Sequence, residues 1–162
     1  MKLITKYLDV NEWYHGGVKM SEKVKNAIEL FSSGYGCAQS VFSSFCNRYG
    51  LESKTALKVA CGFAGGLRSG EVCGAVSGAI MVIGLRYGQC ELEDKTAKEK
   101  CYEVTLEFMK RYEKEENTTL CREILGFDIR DSVARKKFPG KIKEVCPKAI
   151  EHAVLILEDM GF

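Results

Sequence analysis

Residues 71–86 read EVCGAVSGAIMVIGLR, and this stretch decides the fold class. It is apolar on every side when drawn as a helix, a pattern typical of a helix buried at the centre of a domain. It is shorter than the roughly 20 apolar residues that a membrane span needs. We therefore predict a buried central helix that ends at Tyr87-Gly88, and no membrane insertion.

Apolar residues recur at helical spacing on both sides of the central helix, and no pair of strands can be recognised. The sequence therefore predicts an all-α, single-domain bundle of six or seven helices over residues 21–162, with residues 1–20 as an N-terminal extension. Two stretches are predicted to be loops, a glycine-rich one and a polar one. The helical segments are predicted at about 21–33, 37–49, 53–63, 71–86, 93–115, 118–125 and 147–160, and the loops at 62–70 and 128–140.

The composition is that of an ordinary globular protein. The 162 residues are 46% hydrophobic and 28% charged, an ordinary globular balance in a chain long enough for one real core. A net charge of +2 is too small to indicate a nucleic-acid partner. The first ten residues lack the apolar core of a signal peptide, which predicts a cytoplasmic protein.

The N-terminal extension carries an aromatic pair, Trp13 and Tyr14, before the break at His15-Gly16-Gly17. An arm of this kind packs either on its own domain or on a second subunit. The first arrangement is the simpler one, and the second makes a homodimer an alternative prediction.

Eight cysteines are the most unusual feature of the composition. Successive cysteines are 9 to 25 residues apart, and no Cys-x-x-Cys occurs. This spacing excludes zinc ribbons, zinc knuckles, thioredoxin-like dithiols and c-type haem attachment, all of which need close pairs. Any cysteine site must therefore be assembled from distant helices.

Four of the cysteines fall at predicted helix starts: Cys37, Cys73, Cys121 and Cys146. The last of them precedes Pro147, a residue favoured at the first helical position. The N-terminus of a helix carries partial positive charge and free N–H groups, which stabilise a thiolate or an anionic cluster and lower a cysteine pKa. The other four are predicted to be small buried hydrophobes or an incidental loop thiol: Cys46, Cys61, Cys101 and Cys90.

Small residues flank Cys73 in the central helix. Gly74 and Gly78 are four residues apart, with Ala75 and Ala79 beside them. This spacing leaves a smooth groove, which indicates either close packing of another helix or space for a cofactor beside Cys73. On the last helix, His152 is a candidate inward-facing ligand, although a surface or core histidine is the more common case.

Several of these motifs resemble one family. Residues 73–78 read CGAVSG, residues 34–40 read GYGCAQS, and residues 63–66 read FAGG. With Cys121 and Cys146 in order behind them, they resemble the C_GCAxxG_C_C family of redox-active proteins over about residues 21–155. The resemblance implies a helical fold, four family cysteines (Cys37, Cys73, Cys121 and Cys146) and a redox role without a defined reaction.

A related domain occurs in split-Soret cytochromes, where an iron–sulfur cluster accompanies haem. Because Cys-x-x-Cys-His is absent here, covalent haem is not implied, whereas a cluster site is. The first hypothesis is therefore that the four cysteines ligate a metal centre, most simply an iron–sulfur cluster, for electron transfer to an unknown redox partner.

Two other hypotheses use the same cysteines. In one they act without metal as a thiol–disulfide pair, with Cys73 as a nucleophile of low pKa and Cys37 as the neighbour that resolves it. In the other they bind zinc in a helical interaction module. Whether the protein is an enzyme, an oxidoreductase for example, stays open between these hypotheses.

Overall fold

The computed structural model describes residues 20–162, which form a bundle of α-helices joined by short turns. This confirms the predicted all-α fold. Eight α-helices lie within the described residues: α1 (Glu22–Ser32), α2 (Cys37–Phe45), α3 (Ser53–Ala60), α4 (Gly74–Tyr87), α5 (Lys95–Glu116), α6 (Cys121–Leu125), α7 (Ser132–Lys137) and α8 (Lys141–Asp159).

The count is one higher than predicted because the stretch expected to be a polar loop, residues 128–140, contains the short helix α7. Asp131 begins this helix by accepting hydrogen bonds from the N–H groups of Val133 and Ala134, at 2.8 and 3.0 Å. None of its residues is buried, so the sequence has no apolar periodicity there from which the helix could be predicted.

Helix α4 is the buried central helix, as predicted, and packs against α2, α5 and α8. Its closest neighbour is α2, because Gly78 has no side chain. A Cβ at this position would lie 2.6 Å from the carbonyl oxygen of Ala38 and 3.1 Å from the Cβ of Val41. The small residues of α4 thus allow the close helix packing that is one of the two interpretations of their spacing.

The buried side chains divide into two groups. The main core is built from α1, α2, α3, α4, α5 and α8 and includes Cys37 and Cys73. A separate small cluster consists of side chains from α6, the turn after it and the first turns of α8: Cys121, Leu125, Ile129, Phe127, Ile142, Val145 and Cys146. We use these two names, main core and small cluster, below. Two of the predicted site cysteines belong to each.

The predicted extension, apart from Met20, lies outside the described residues, and so do Trp13, Tyr14 and His15. Within the described part of the chain, every helix is too short or too polar to cross a lipid bilayer.

His152 faces an acidic partner rather than the cysteines. Its Nδ1 lies 2.7 Å from Oε1 of Glu116, which joins α8 to the end of α5. The hydrogen bond to Glu116 raises the pKa of His152 above its ordinary value, with Glu151 and Glu115 adding to the effect.

We expect the imidazole of His152 to titrate above about 6.5, its value in an unfolded chain. A raised pKa means that the folded state binds the proton more tightly. The stabilisation is therefore complete below pH 6.5 and is lost as pH rises through the folded-state pKa. An NMR titration of the ring protons measures the shift, with Glu116→Gln as the control that should remove most of it. Titration of the wild-type ring at or below 6.5 would contradict the assignment.

Candidate functional site

Three of the four predicted cysteines lie at helix starts. Cys37 is the first residue of α2, Cys73 is the N-cap of α4, and Cys121 is the first residue of α6. Their backbone positions were therefore predicted correctly. All three side chains are at most 7% exposed.

The prediction that Cys146 starts a helix was wrong. Helix α8 begins five residues earlier, at Lys141, after Gly140 in a left-handed conformation (φ +90°). The helix continues through Pro147, which lies inside it rather than at its first position. Cys146 is instead held by its packing in the small cluster.

An antiparallel bridge between Val72 and Leu120 places two of the cysteines side by side. The N–H of Cys73 donates to the carbonyl of Thr119, and the N–H of Cys121 donates to the carbonyl of Glu71, both at 2.7 Å. These two bonds fix the start of α4 against the start of α6. Residues that are 48 positions apart in sequence are thereby brought together by the backbone alone.

Cys37 is positioned by the turn before it. The N–H of Gly36 donates to Oε1 of Gln39 at 2.8 Å, and Nε2 of Gln39 donates to the carbonyl of Leu57 at 2.8 Å, which ties the start of α2 to α3. The Sγ of Cys37 packs against Gly74 so closely that a methyl group there would collide with it. Gly74 therefore lets this sulfur lie next to the start of α4.

All four cysteines line one cavity of about 160 Å³. Among residues 20–162, the remaining wall is almost entirely apolar, and Arg68 is its one cationic side chain. The apolar lining comes from α1, α6, α8 and the intervening turns: Phe31, Ala64, Ile124, Leu125, Ile129, Ile142 and Ala149. The structure thus brings together the four residues that the sequence predicted as one site.

The four sulfurs are near enough to affect one another. Each of the six pairs that four cysteines can form interacts electrostatically, with Cys37 contributing to the pKa of the other three. Among residues 20–162, however, no group of three or more His, Cys, Asp or Glu side chains is arranged around a single point where one metal ion would be held. The sulfurs line a space instead.

The expectation of a low pKa at Cys73 was wrong for the free thiol. Burial and, to a smaller degree, the nearby Cys37 together raise its pKa to about 12, against smaller lowering effects from hydrogen bonds of the Ala75 N–H and of Tyr112. Burial also raises the pKa of Cys121 to about 11 and that of Cys146. The cavity wall excludes water from the sulfurs, and this raises their pKa by more than the partial positive charge of the helix N-termini lowers it.

Two further side chains lie near the cysteines, and of these the sequence offered only Arg68 as a residue that could flank a site. Tyr112 of α5 is fully buried, and its hydroxyl lies 3.8 Å from the Sγ of Cys73. Arg68 lines the cavity and lowers the pKa of Cys121 by its charge. Arg68 also has an uncommon left-handed backbone (φ +57°) in a glycine-rich turn, which no sequence pattern would suggest.

The remaining predicted residues lie elsewhere. Gly74 and Gly78 do not line the cavity, and a cofactor-binding role for them stays a prediction beside their packing role. Of the three cysteines predicted to be small buried hydrophobes, Cys46 is fully buried and Cys101 is half-buried, but Cys61 is exposed, contrary to the prediction. Cys90, the predicted loop thiol, is exposed.

Residues 35–160 match the family model described as "Putative redox-active protein (C_GCAxxG_C_C)". The match covers well over half of the chain. The protein belongs to this family. No curated protein and no solved structure gave a significant match to the chain.

The C_GCAxxG_C_C match begins two residues before Cys37 and ends after Cys146. It therefore includes every cysteine that lines the cavity, and it leaves α1 outside. Membership in the C_GCAxxG_C_C family places the protein in a redox-active class.

Proposed function

We propose that Cys37, Cys73, Cys121 and Cys146 hold an iron–sulfur cluster and that the protein transfers electrons through it. The observation that carries the proposal is that four cysteines from three separate helix starts and one helix interior line a single apolar cavity. Four thiolates are the donor set that such clusters require. When bound, the cluster would supply a one-electron couple.

The cavity suits a group larger than one ion. A single zinc ion bound at the usual Zn–S distance draws its four sulfurs to within about 3.8 Å of each other. The four cysteines here surround a space of about 160 Å³ instead. A multinuclear cluster fills more space than one ion, and the volume of the cavity supports it over zinc, which stays the third hypothesis.

The surrounding residues offset the negative charge that thiolate ligands carry. Cys37 is the first residue of α2 and Cys73 is the N-cap of α4, so both lie in the partial positive charge of a helix N-terminus. Arg68 provides a full charge near Cys121. The apolar wall limits the access of water, one of the factors that set the potential of a cluster.

Anaerobic purification followed by iron and sulfide analysis tests the proposal. We expect iron and acid-labile sulfide in equal amounts, with visible absorption from sulfur-to-iron charge transfer that dithionite bleaches. Replacing the exposed loop cysteine, Cys90→Ser, should change none of these readings. A colourless protein that takes up neither iron nor sulfide on anaerobic reconstitution would contradict the cluster.

A metal-free dithiol is the second candidate, and the contact between Cys37 and Gly74 supports it. This contact places the Cys37 sulfur beside the residue next to Cys73. Oxidation would join the two sulfurs and release two protons and two electrons to a partner disulfide, through a mixed-disulfide intermediate. A colourless protein that reversibly loses two thiols, and in which Cys37→Ser or Cys73→Ser prevents this loss, would favour the dithiol.

A further inference from the structure

Tyr112 is a fully buried phenol whose hydroxyl has two acceptors within reach. One is the Sγ of Cys73, at 3.8 Å, and the other is the carbonyl oxygen of Ala149 on α8, at 3.4 Å. The hydroxyl has one hydrogen and can donate it to only one acceptor at a time. The charge on the sulfur decides between them.

A neutral thiol is a weak acceptor, so a carbonyl oxygen competes with it successfully. A sulfur that carries negative charge is a much better acceptor, because charge-assisted hydrogen bonds are roughly twice as strong as neutral ones. Both acceptors lie within hydrogen-bond range of the same hydroxyl, so rotation of its O–H bond changes which of them it donates to. The hydroxyl is therefore placed to respond to the state of Cys73.

We propose that Tyr112 is a positioning residue for the electron-transfer site: its hydroxyl donates to the Cys73 sulfur when that sulfur ligates the cluster and to the Ala149 carbonyl when it does not. This inference rests on the proposed function. A hydrogen bond to a ligand sulfur is stronger when the site is more negative, that is, when it is reduced. Tyr112 accordingly raises the reduction potential.

The test compares wild-type protein with Tyr112→Phe, both reconstituted with iron and sulfide under anaerobic conditions. We expect the variant to disfavour the reduced state by about tenfold, which is about 59 mV for a one-electron couple. We also expect the Fe–S stretching frequencies of the wild-type protein to shift after exchange into heavy water, since the tyrosine proton is exchangeable. The variant should lack the part of this shift that comes from Tyr112.

The chain offers a matched control. The hydroxyl of Tyr49 is also buried but has no hydrogen-bond partner among the described residues, and it does not line the cavity. Tyr49→Phe removes the same atom from a side chain outside the cavity and should leave the potential unchanged. If both variants lower the potential equally, the effect is one of general packing and the inference fails.

The outcomes separate the two proposals. Equal potentials in loaded wild-type protein and loaded Tyr112→Phe overturn the role of Tyr112 and leave the cluster in place. Failure of the wild-type protein to bind iron and sulfide overturns the proposed function together with this inference. If Tyr112→Phe does not fold, the heavy-water measurement on the wild-type protein decides, and the absence of a frequency shift there counts against the hydrogen bond.

Discussion

Replacing Cys121 with alanine will reduce iron–sulfur loading by more than tenfold, while the protein stays folded. Changes in the outer shell of a metal site already cost about 10-fold to 100-fold in affinity, and this change removes a ligand itself. The loss of packing is small because one sulfur atom is deleted from a side chain at the edge of a cavity. The iron content after anaerobic reconstitution measures the effect.

Cys46→Ala is the matched control for this experiment. Cys46 is buried, as Cys121 is, but it does not line the cavity, and its S–H donates to the carbonyl of Ser43 at 3.3 Å. Its replacement should cost stability without changing the iron content. If Cys121→Ala takes up as much iron and sulfide as Cys46→Ala, then Cys121 is not a ligand.

The second large effect is expected at Gly78, where alanine should destabilise the protein by about 1 to 3 kcal/mol. The added methyl group would lie 2.6 Å from the backbone oxygen of Ala38, an atom that cannot move without shifting α2. The intrinsic preference of alanine for helices, about 1 kcal/mol over glycine, offsets only part of this cost. For a chain of this size each kcal/mol lowers the melting temperature by roughly 2 to 4 °C.

Gly84 provides the control on the same helix. A Cβ at Gly84 meets nothing within 4 Å, so Gly84→Ala should be neutral or stabilise the protein by up to about 1 kcal/mol. Chemical unfolding of both variants measures the difference. Equal stability for Gly78→Ala and Gly84→Ala would show that α2 and α4 do not pack as closely as described.

Much of the fold could be predicted because its signals are local. The apolar stretch at residues 71–86 identified the central helix, and Ser21 marked the start of α1, where its Oγ accepts the N–H of Val24 at 3.1 Å. Helix α7 and the start of α8 could not be predicted in the same way. Helix α7 has no apolar face, and Pro147 suggested a helix start where the helix in fact continues.

The features of the candidate site also divide into those with a local sequence signal and those that depend on distant segments. Glycine turns before Cys37 and Cys73 indicated helix starts, which is a local signal. The bridge that aligns Cys73 with Cys121, and the approach of Tyr112 from α5, depend on backbone pairing and packing between distant segments. The pKa of the free thiols was mistaken for a related reason: sequence spacing predicts a helix start but not how far the surrounding side chains exclude water from it.

The division of the buried residues into main core and small cluster has a consequence for the proposed centre. Cys37 and Cys73 are anchored on one side of the boundary, and Cys121 and Cys146 on the other. A group bonded to all four sulfurs would hold the main core and the small cluster together, because it binds only the folded state in which the two are in contact. Binding of the redox centre would then stabilise the contact between the main core and the small cluster, so loss of iron would lower the melting temperature of a protein that still folds.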